Sequence, residues 1–323
     1  MSGEVVVRTE RLTRTFVVRE GRGLRRDKRL VTAVNGIDLT IAAGEAVGYV
    51  GANGAGKSTT IKMLTGILVP TSGTVSTCGL DPVSQRRRLA REVGVVFGQR
   101  SQLWWDLPLH ESFRVLGALH RLPDAAWRAR RDELVERLEL AGFLGTPVRQ
   151  LSLGQRMRGE VAAALLHSPR LVVLDEPTIG LDVLSKERLR VFLREERAAR
   201  GTTLLLTTHD MGDVERLCDR VLVVHHGRAE YDGSLPGLVA RVGADRVLVV
   251  DLAEPSAPLE GVAGTRLVGV EAQGLRQRLA FAPQHTTAAA VLQAVSERVE
   301  VRDLTVEEPQ VEDVVRRLYL SGR

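Results

Sequence analysis

One stretch of the chain reads Gly51-Ala52-Asn53-Gly54-Ala55-Gly56-Lys57-Ser58-Thr59. It fits G-x-x-x-x-G-K-[ST], a loop whose backbone N–H groups surround nucleotide phosphates. A strand pattern precedes it at residues 46–50, and a helical pattern follows it at residues 60–64. The glycines permit positive φ and close backbone approach, and the start of a helix supplies unpaired N–H donors. We therefore predict a nucleotide phosphate site in which Lys57 reaches the β- and γ-phosphates and Ser58 holds Mg²⁺.

The composition is that of a globular protein with room for one large domain and one small one. The chain has 323 residues, and 44% of them are hydrophobic. Its formal charge of +5 is too small to argue for a nucleic acid partner. Cys78 and Cys218 form no metal or disulfide pattern, so we expect a reducing cytosol. The first residues do not resemble a signal peptide, and glycine and proline interrupt the uncharged stretch 63–80, so we expect any membrane role to come through a partner.

Hydrophobic periodicity predicts an α/β core followed by a smaller domain. A helical block at about residues 100–168 interrupts a series of apolar strand patterns. Near residue 240 the pattern changes to half-buried strands mixed with helices. We predict a phosphate-loop core with antiparallel β and helical subdomains over residues 4–238, and a small C-terminal α+β domain over residues 239–323. Among the predicted helices are those at residues 57–68, 84–91 and 311–320.

A basic insertion lies between the first predicted strands. Residues 19–29 contain six bases and two acids, a net charge of +4, together with Gly21 and Gly23. The glycines favour a flexible loop. Two interpretations remain for it, a solvated hairpin tip or a contact with anionic lipid headgroups.

An apolar strand that ends in two acids supplies a second part of the site. Residues 171–174 are apolar, and Asp175 and Glu176 follow them. An acid at the end of a strand beside a phosphate loop suits a second Mg²⁺ contact, which we assign to Asp175. Glu176 is then the candidate general base for the water that attacks the γ-phosphate.

A further anion site is predicted from Leu151-Ser152-Leu153-Gly154-Gln155, which precedes a helical run. Ser152 and the backbone at Gly154 fall at the N-terminus of that helix, where N–H groups bind anions. Together with the phosphate loop and the acid-tipped strand, this stretch resembles the ATP-binding subunit of an ABC transporter over roughly residues 4–235. The family's usual signature is L-S-G-G-Q. Leu153 therefore replaces its first glycine, while the expected phosphate contacts Ser152 and Gly154, together with Gln155, remain.

The resemblance implies ATP and Mg²⁺ as cofactors and roles for four further residues. Gln99 matches the glutamine that senses Mg²⁺ and contacts the membrane partner, and His209 matches the γ-phosphate histidine. Asp182 matches the dimer-contact loop. Phe16 stands where the family commonly has a tyrosine that stacks on adenine, and stacking needs only a π face. In this family the signature of one subunit closes the ATP site of another, so a head-to-tail dimer, homomeric or heteromeric, is implied.

Two adjacent tryptophans follow the family glutamine. Trp104 and Trp105 lie on a segment closed by Pro108. Adjacent side chains in extended sequence point in opposite directions, so at most one is expected in the core, and the other is a candidate contact for a membrane subunit. With the C-terminal domain, this segment resembles ATPases of type-2 ABC exporters, including the viologen-exporter-like group.

The expected function is an ATP-hydrolysing motor subunit of an exporter, peripheral on the inner face of the cell membrane through separate permease subunits. The alternative is a soluble ABC-type ATPase that acts on a ribosome or nucleic acid. A single phosphate loop and the lack of sustained heptads argue against that alternative. A stand-alone phosphate-loop kinase would leave residues 151–155 and His209 unexplained.

Overall fold

Two sheets and a group of helices form the first part of the computed structural model, which describes residues 4–20, 27–98, 101–208, 210–243, 245–307, 314–315 and 318. The strands of this part are β1 Val5–Glu20, β2 Asp27–Ala42, β3 Ala46–Gly51, β4 Ser72–Thr77, β5 Val93–Phe97, β6 Leu171–Asp175, β7 Thr203–Thr207, β8 Arg220–His225 and β9 Arg228–Gly233. The helices are α1 Lys57–Leu64, α2 Arg86–Leu89, α3 Leu109–Leu119, α4 Asp124–Arg137, α5 Leu153–Leu165, α6 Val183–Arg200 and α7 Met211–Leu217.

The larger sheet has the strand order β5-β6-β7-β3-β8-β9. All its pairings are parallel except that of β8 with β9. Strands of a parallel sheet are covered on both faces, which explains why residues 171–174 and 221–224 are continuous apolar runs and are fully buried. The carboxyl ends of β3, β5, β6 and β7 meet at one edge, where ligands bind in open α/β sheets.

The smaller sheet, β2-β1-β4, is antiparallel. The pairing of β1 with β2 continues from Val5 opposite Ala42 to Glu20 opposite Asp27. The prediction of a loop over residues 19–29 was therefore too wide, because the cross-strand hydrogen bonds extend into both of its ends. Residues 21–26 of that basic insertion lie outside the described residues.

Helices α3, α4 and α5 lie within the block predicted to be helical. Phe113, Leu134 and Val161, one from each helix, belong to a single buried cluster with residues of the central sheet. A buried ion pair between Arg130 of α4 and Glu196 of α6 joins this group to the core. Removing one partner of such a pair leaves the other as a buried charge without compensation. The pair therefore favours one arrangement of α4 and α6.

Two predicted helices are shorter in the structure. Helix α1 ends at Leu64 rather than near residue 68, because Gly66 takes a left-handed φ of 72°. In the predicted basic helix 84–91, only Arg86–Leu89 is helical. The carboxylate of Asp81 accepts hydrogen bonds from the N–H groups of Val83 and Ser84, which holds the preceding residues in a turn.

A second compact unit begins at Ser234, after the first ends at Gly233. Its elements are α8 Leu235–Val242, β10 Arg246–Leu252, β11 Thr265–Glu271, β12 Arg276–Phe281, α9 Ala288–Ser296 and β13 Val301–Glu307. The sheet β11-β12-β10-β13 packs on α9 through a cluster that contains Leu248, Phe281 and Val295. The predicted fold class is thus confirmed, whereas the predicted boundary at residue 238 falls inside α8 and remains a prediction.

The predicted helix at residues 311–320 lies largely outside the described residues. Val314 and Val315 are described there, and both are helical and buried. Within the described part of the chain, no helix has the length and apolar composition needed to cross a membrane.

Candidate functional site

The phosphate loop joins β3 to α1 at the carboxyl edge of the central sheet. Lys57 opens α1, and its ammonium group donates to the carbonyl oxygens of Gly51 and Ala52, the latter at 3.2 Å. The loop lines a cavity of about 960 Å³. Its lining residues are Ala33, Gly51, Ala52, Asn53, Gly54, Gly56, Lys57, Ser58, Thr59, Lys62, Phe97, Gly98, Asp175, Glu176 and Ile179. Of the predicted loop residues, Ala55 alone is not part of this lining, and its side chain is buried in the core.

The loop can turn this tightly because of two glycines. Gly54 and Gly56 have φ values of 80° and 103°, which L side chains rarely adopt. A Cβ atom at Gly56 would lie 2.3 Å from the carbonyl oxygen of Ala33, whereas a Cβ at Gly54 would meet nothing within 4 Å. Gly56 is therefore required by space as well as by backbone conformation.

The acid-tipped strand faces the same cavity. Asp175 lies between Phe97 and Thr207 in the register of the sheet, and its carboxylate accepts a hydrogen bond from the Thr207 hydroxyl. Burial lowers the pKa of Lys57, and the negative charges of Glu176 and Asp175 oppose that shift. A cation and two carboxylates therefore line one cavity of a size suited to a nucleotide.

Glu176 has an unusual backbone conformation. Its φ is 54°, in the left-handed region that residues with a side chain seldom occupy. The N–H group of Glu176 donates to the carbonyl of Thr207 at 2.8 Å. Such a conformation costs on the order of 1–3 kcal/mol and persists only where the surroundings hold it, which is common at catalytic positions.

The predicted signature residues form the start of α5. Ser152 accepts a hydrogen bond from the Gln155 N–H at 3.2 Å, and the Gln155 side chain accepts one from the Ser152 N–H at 2.9 Å. This reciprocal capping explains why the helix begins there. Ser152 is exposed, and residues 151–155 do not contribute to the lining of the described cavity.

Asp182 begins α6 in a similar way. Its carboxylate accepts hydrogen bonds from the N–H and hydroxyl groups of Ser185, which lower its pKa. The preceding loop touches the signature, because a Cβ atom at Gly180 would lie 2.2 Å from Cδ2 of Leu153. The leucine that departs from the usual signature thus packs over Gly180, and Asp182, like Ser152, is not part of the cavity lining.

Phe16 is partly buried on β1, and the guanidinium of Arg14 lies 4.7 Å from the centre of its ring. One face of the ring is therefore occupied by a cation. Phe16 is not among the described lining residues, although Ala33 on the neighbouring strand is. Gln99 and His209 lie outside the described residues, and their neighbours Gly98 and Thr208 border the site and the end of β7.

The sequence patterns missed several residues at this edge. Thr207 contacts Asp175, and Ile179 and Phe97 line the cavity. A threonine that ends the strand directly before the predicted histidine loop was the available signal for Thr207. Ile179 and Phe97 have no chemical signature in the sequence. Phe97 reaches the cavity because it ends β5, and Ile179 because it lies in the turn that follows β6.

Comparison with known proteins identifies the class. A family model described as ABC transporter matches residues 34–179. The daunorubicin resistance ATP-binding protein DrrA3 of Streptomyces coeruleorubidus is 35% identical over 294 residues, 90% of this chain and 91% of that protein. The Nod factor export ATP-binding protein I of Burkholderia lata is 42% identical over 218 residues, 66% of this chain and 69% of that protein.

Solved structures agree with these relatives. A dimeric ATP-binding cassette in a post-hydrolysis state, bound to ADP and Pi, superposes with a TM-score of 0.62 at 26% identity and covers 71% of this chain and 98% of its own. The ATP-binding subunit of an ABC transporter superposes with a TM-score of 0.63, also at 26% identity, covering 74% of this chain and 93% of its own.

The chain belongs to the ATP-binding proteins of ABC transporters. It binds ATP and is an ATPase that serves transport, as the sequence predicted. The alternative of a ribosome- or nucleic acid-directed ATPase is not favoured, because the relatives named above are a drug-resistance and an export protein. The match to DrrA3 covers 294 residues, more than the first unit contains, so the likeness continues into the C-terminal unit.

The geometry of Gly56 gives a direct test of the phosphate loop. We expect Gly56→Ala to reduce ATP affinity at least about tenfold, or about 1.4 kcal/mol, because the new methyl group collides with the Ala33 carbonyl and the loop must move. The matched control is Gly79→Ala, a position with φ of 73° and nothing within 4 Å of the new Cβ. Titration with a fluorescent ATP analogue, beside a thermal melt, measures both. Equal ATP affinity in the two variants would contradict the assigned role of Gly56.

Proposed function

We propose that this ATPase is the motor subunit of an exporter and drives transport through separately encoded membrane subunits, to which it binds at the inner face of the membrane. The observation that carries this proposal is the cavity at the sheet edge, where Lys57 faces Asp175 and Glu176. The relative named for Nod factor export supports the direction of transport.

The phosphate loop holds ATP in this proposal. The N–H groups of residues 53–59, in the loop and the first turn of α1, bind the phosphate oxygens. Lys57 moves from the loop carbonyls to the β- and γ-phosphates. Phe16 receives the adenine on the ring face that Arg14 does not cover. ATP thus replaces hydrogen bonds from the Lys57 ammonium to neutral carbonyls with stronger bonds to charged phosphate oxygens.

The oxygen donors of the cavity fit a magnesium ion. Ser58 and Asp175 both line the cavity, and hydroxyl and carboxylate oxygens are the ligands that Mg²⁺ prefers. Gln99, which matches the family glutamine, is proposed as a further ligand. When bound, Mg²⁺ neutralises charge on the β- and γ-phosphates. The hydrogen bond from Thr207 keeps the Asp175 carboxylate oriented at the strand end.

Glu176 is the proposed general base for the attacking water, and His209 is proposed to contact the γ-phosphate. The left-handed backbone at Glu176 is consistent with this role, because strained conformations cluster at active sites, and here it coincides with a carboxylate in the cavity lining. Its carboxylate faces the same cavity as Lys57. In hydrolysis the water oxygen bonds to the γ-phosphorus while a water proton passes to Glu176, and the bond from that phosphorus to the bridging oxygen breaks, so that ADP leaves. Lys57 and His209 stabilise the charge on the phosphates.

We expect Glu176→Gln to bind ATP with wild-type affinity and to hydrolyse it about 10²-fold more slowly or worse, because an amide cannot accept the proton. Steady-state phosphate release measures turnover, and size-exclusion with ATP should detect an ATP-bound dimer that accumulates. Glu195→Gln, an exposed glutamate on α6, is the control and should retain turnover. Wild-type turnover in Glu176→Gln would rule out the assigned base.

A second subunit is proposed to complete each ATP site. The signature residues Ser152, Gly154 and Gln155 match those that close the ATP site of another subunit in the family, and Asp182 matches the dimer-contact loop. None of these four residues lines the described cavity of its own chain. Near them the surface is apolar, with Leu153 at 39%, Ile179 at 43%, Val183 at 82% and Leu184 at 70% exposed. Exposed apolar side chains that adjoin one another mark an interaction surface. This surface supports a head-to-tail dimer in which two ATP molecules lie between the subunits.

Mixed variants test the shared site. Ser152→Arg should block the γ-phosphate contact in trans, and Lys57→Ala should disable the phosphate loop of its own chain, so each variant alone should be inactive. A mixture should regain part of the ATPase activity, because one of the two sites then combines an intact Lys57 with an intact Ser152. Ser152→Asp keeps a helix-capping oxygen yet repels phosphate, so it should behave as Ser152→Arg does. Full activity of Ser152→Arg alone would contradict the composite site.

The tryptophan pair is the proposed contact for the membrane subunits. Trp104 is 37% and Trp105 is 53% exposed, so neither belongs to the core. Their segment is anchored to α5, because Ser101 and the Gln102 N–H donate to the buried carboxylate of Glu160, the latter at 3.2 Å. Large aromatic side chains held at the surface by a rigid support are typical of interface hot spots.

We expect Trp105→Ala or Trp104→Ala to weaken association with the membrane subunits by about 2 kcal/mol, roughly thirtyfold, because a buried interface tryptophan contributes that much. Co-purification with the permease measures binding, and a thermal melt of the isolated subunit should be unchanged. Leu119→Ala, at 64% exposure on α3, is the control and should co-purify normally. Normal binding by both tryptophan variants would remove these residues from the interface.

A further inference from the structure

The carboxylate of Asp213, close to the carboxyl edge of the central sheet, joins several segments of the chain. Asp213 on α7 is fully buried. Its oxygens accept hydrogen bonds from the hydroxyl of Thr178 and, at 3.3 Å, from that of Thr208. The guanidinium of Arg190 donates to it through Nε at 2.7 Å and forms an ion pair at 2.6 Å. One buried acid is therefore held by three partners that come from three different segments.

Two of those segments carry the proposed catalytic side chains. Thr178 lies two residues after Glu176, and Thr208 immediately precedes His209. The first segment needs support, because Glu176 has a left-handed φ of 54°. At its start the segment is tied to β7 by the hydrogen bond from the Glu176 N–H to the Thr207 carbonyl, and at Thr178 it is tied to Asp213.

The third partner comes from α6, the helix that begins at Asp182. Beside its contact with Asp213, this helix reaches the residue that follows His209. Lys186 donates to Asp210 at 2.6 Å, and Arg190 lies 3.4 Å from the same carboxylate. The helix that follows the proposed dimer loop is thus bonded directly to the His209 segment and, through Asp213, indirectly to the Glu176 segment.

We propose that Asp213 is a positioning residue for ATP hydrolysis. It holds the segment of Glu176 and the segment of His209 at a fixed separation and ties both to α6. Asp213 is fully buried and is not part of the cavity lining, so it acts through Thr178 and Thr208 rather than on the nucleotide. This inference rests on the proposed catalytic roles of Glu176 and His209. A carboxylate suits the task, since it accepts from two hydroxyls and a guanidinium at once.

The first test removes one hydrogen bond and little else. Thr178→Val has nearly the same shape as threonine but no hydroxyl, whereas Thr178→Ser retains the hydroxyl. We expect the kcat of Thr178→Val to fall roughly 10- to 100-fold, because a misplaced catalytic group has this effect, with the KM for ATP within about twofold of wild type. Thr178→Ser should recover most of the loss. A wild-type kcat in a folded Thr178→Val would overturn the proposal.

The second test separates positioning from general stability. Asp213→Asn should lower kcat as Thr178→Val does. The matched control is Glu196→Gln, since Glu196 is also buried and also pairs with an arginine, Arg130, but at the contact between α4 and α6. Melting temperature, KM and kcat are measured for all variants. The proposal is supported if kcat falls in Asp213→Asn and Thr178→Val but not in Glu196→Gln. It is overturned if kcat follows melting temperature in every variant, Glu196→Gln included.

Glu176→Gln, measured in the same series, distinguishes a failure of the positioning role from a failure of the proposed catalytic base. If Glu176→Gln is inactive while Thr178→Val and Asp213→Asn turn over normally, the positioning role fails and the proposed function stands. If Glu176→Gln turns over normally, the assigned base fails, and the positioning role fails with it.

Discussion

The parallel pairing of β6 with β7 and of β7 with β3 determines the distances on which the site depends. Backbone hydrogen bonds hold neighbouring strands about 4.8 Å apart, so the residues at their carboxyl ends must lie side by side. Asp175 ends β6 opposite Thr207, and β3 pairs with β7 up to Tyr49, just before the phosphate loop. Lys57 and Glu176, which are more than a hundred positions apart in the chain, face one cavity for this reason. The loop, the acids and the histidine segment are all connections that follow these strands.

Buried charges then connect the elements around that edge. Arg130 and Glu196 join α4 to α6, Glu160 of α5 holds the tryptophan segment, and Asp213 joins the two catalytic segments. Burial raises the pKa of Glu160, and the hydrogen bonds from Ser101 and Gln102 oppose that shift. Removing a charge from water is costly, and it is tolerated only where several donors or an opposite charge compensate. Such contacts favour the observed arrangement of the elements, because separating the partners would leave a buried charge without compensation.

Local sequence signals succeeded where the cause of a structure is local. Ser152 starts α5 where the sequence predicted a helix N-terminus, through a hydrogen bond that spans three residues. Apolar runs predicted the buried strands, because parallel strands covered on both faces admit few polar residues. The signals failed at element ends. Helix α1 stops before Gly66, where a Cβ atom would lie 2.1 Å from the carbonyl oxygen of Pro82, and the β1–β2 ladder extends into the predicted loop because each strand is supported by the other.

The sequence alone determined the family, the ATPase activity and the fold class, because the phosphate loop, the acid-tipped strand and the signature are contiguous patterns. The chemistry of those patterns depends on residue types at short spacing, which a single chain displays directly. The tertiary structure decided what depends on contacts between distant segments. It exposes both tryptophans, packs Leu153 over Gly180 and places Asp213 beneath two loops, and each of these outcomes follows from strand register and helix packing. Spacing along the chain carries no information on such contacts, because they form only when the sheet has assembled.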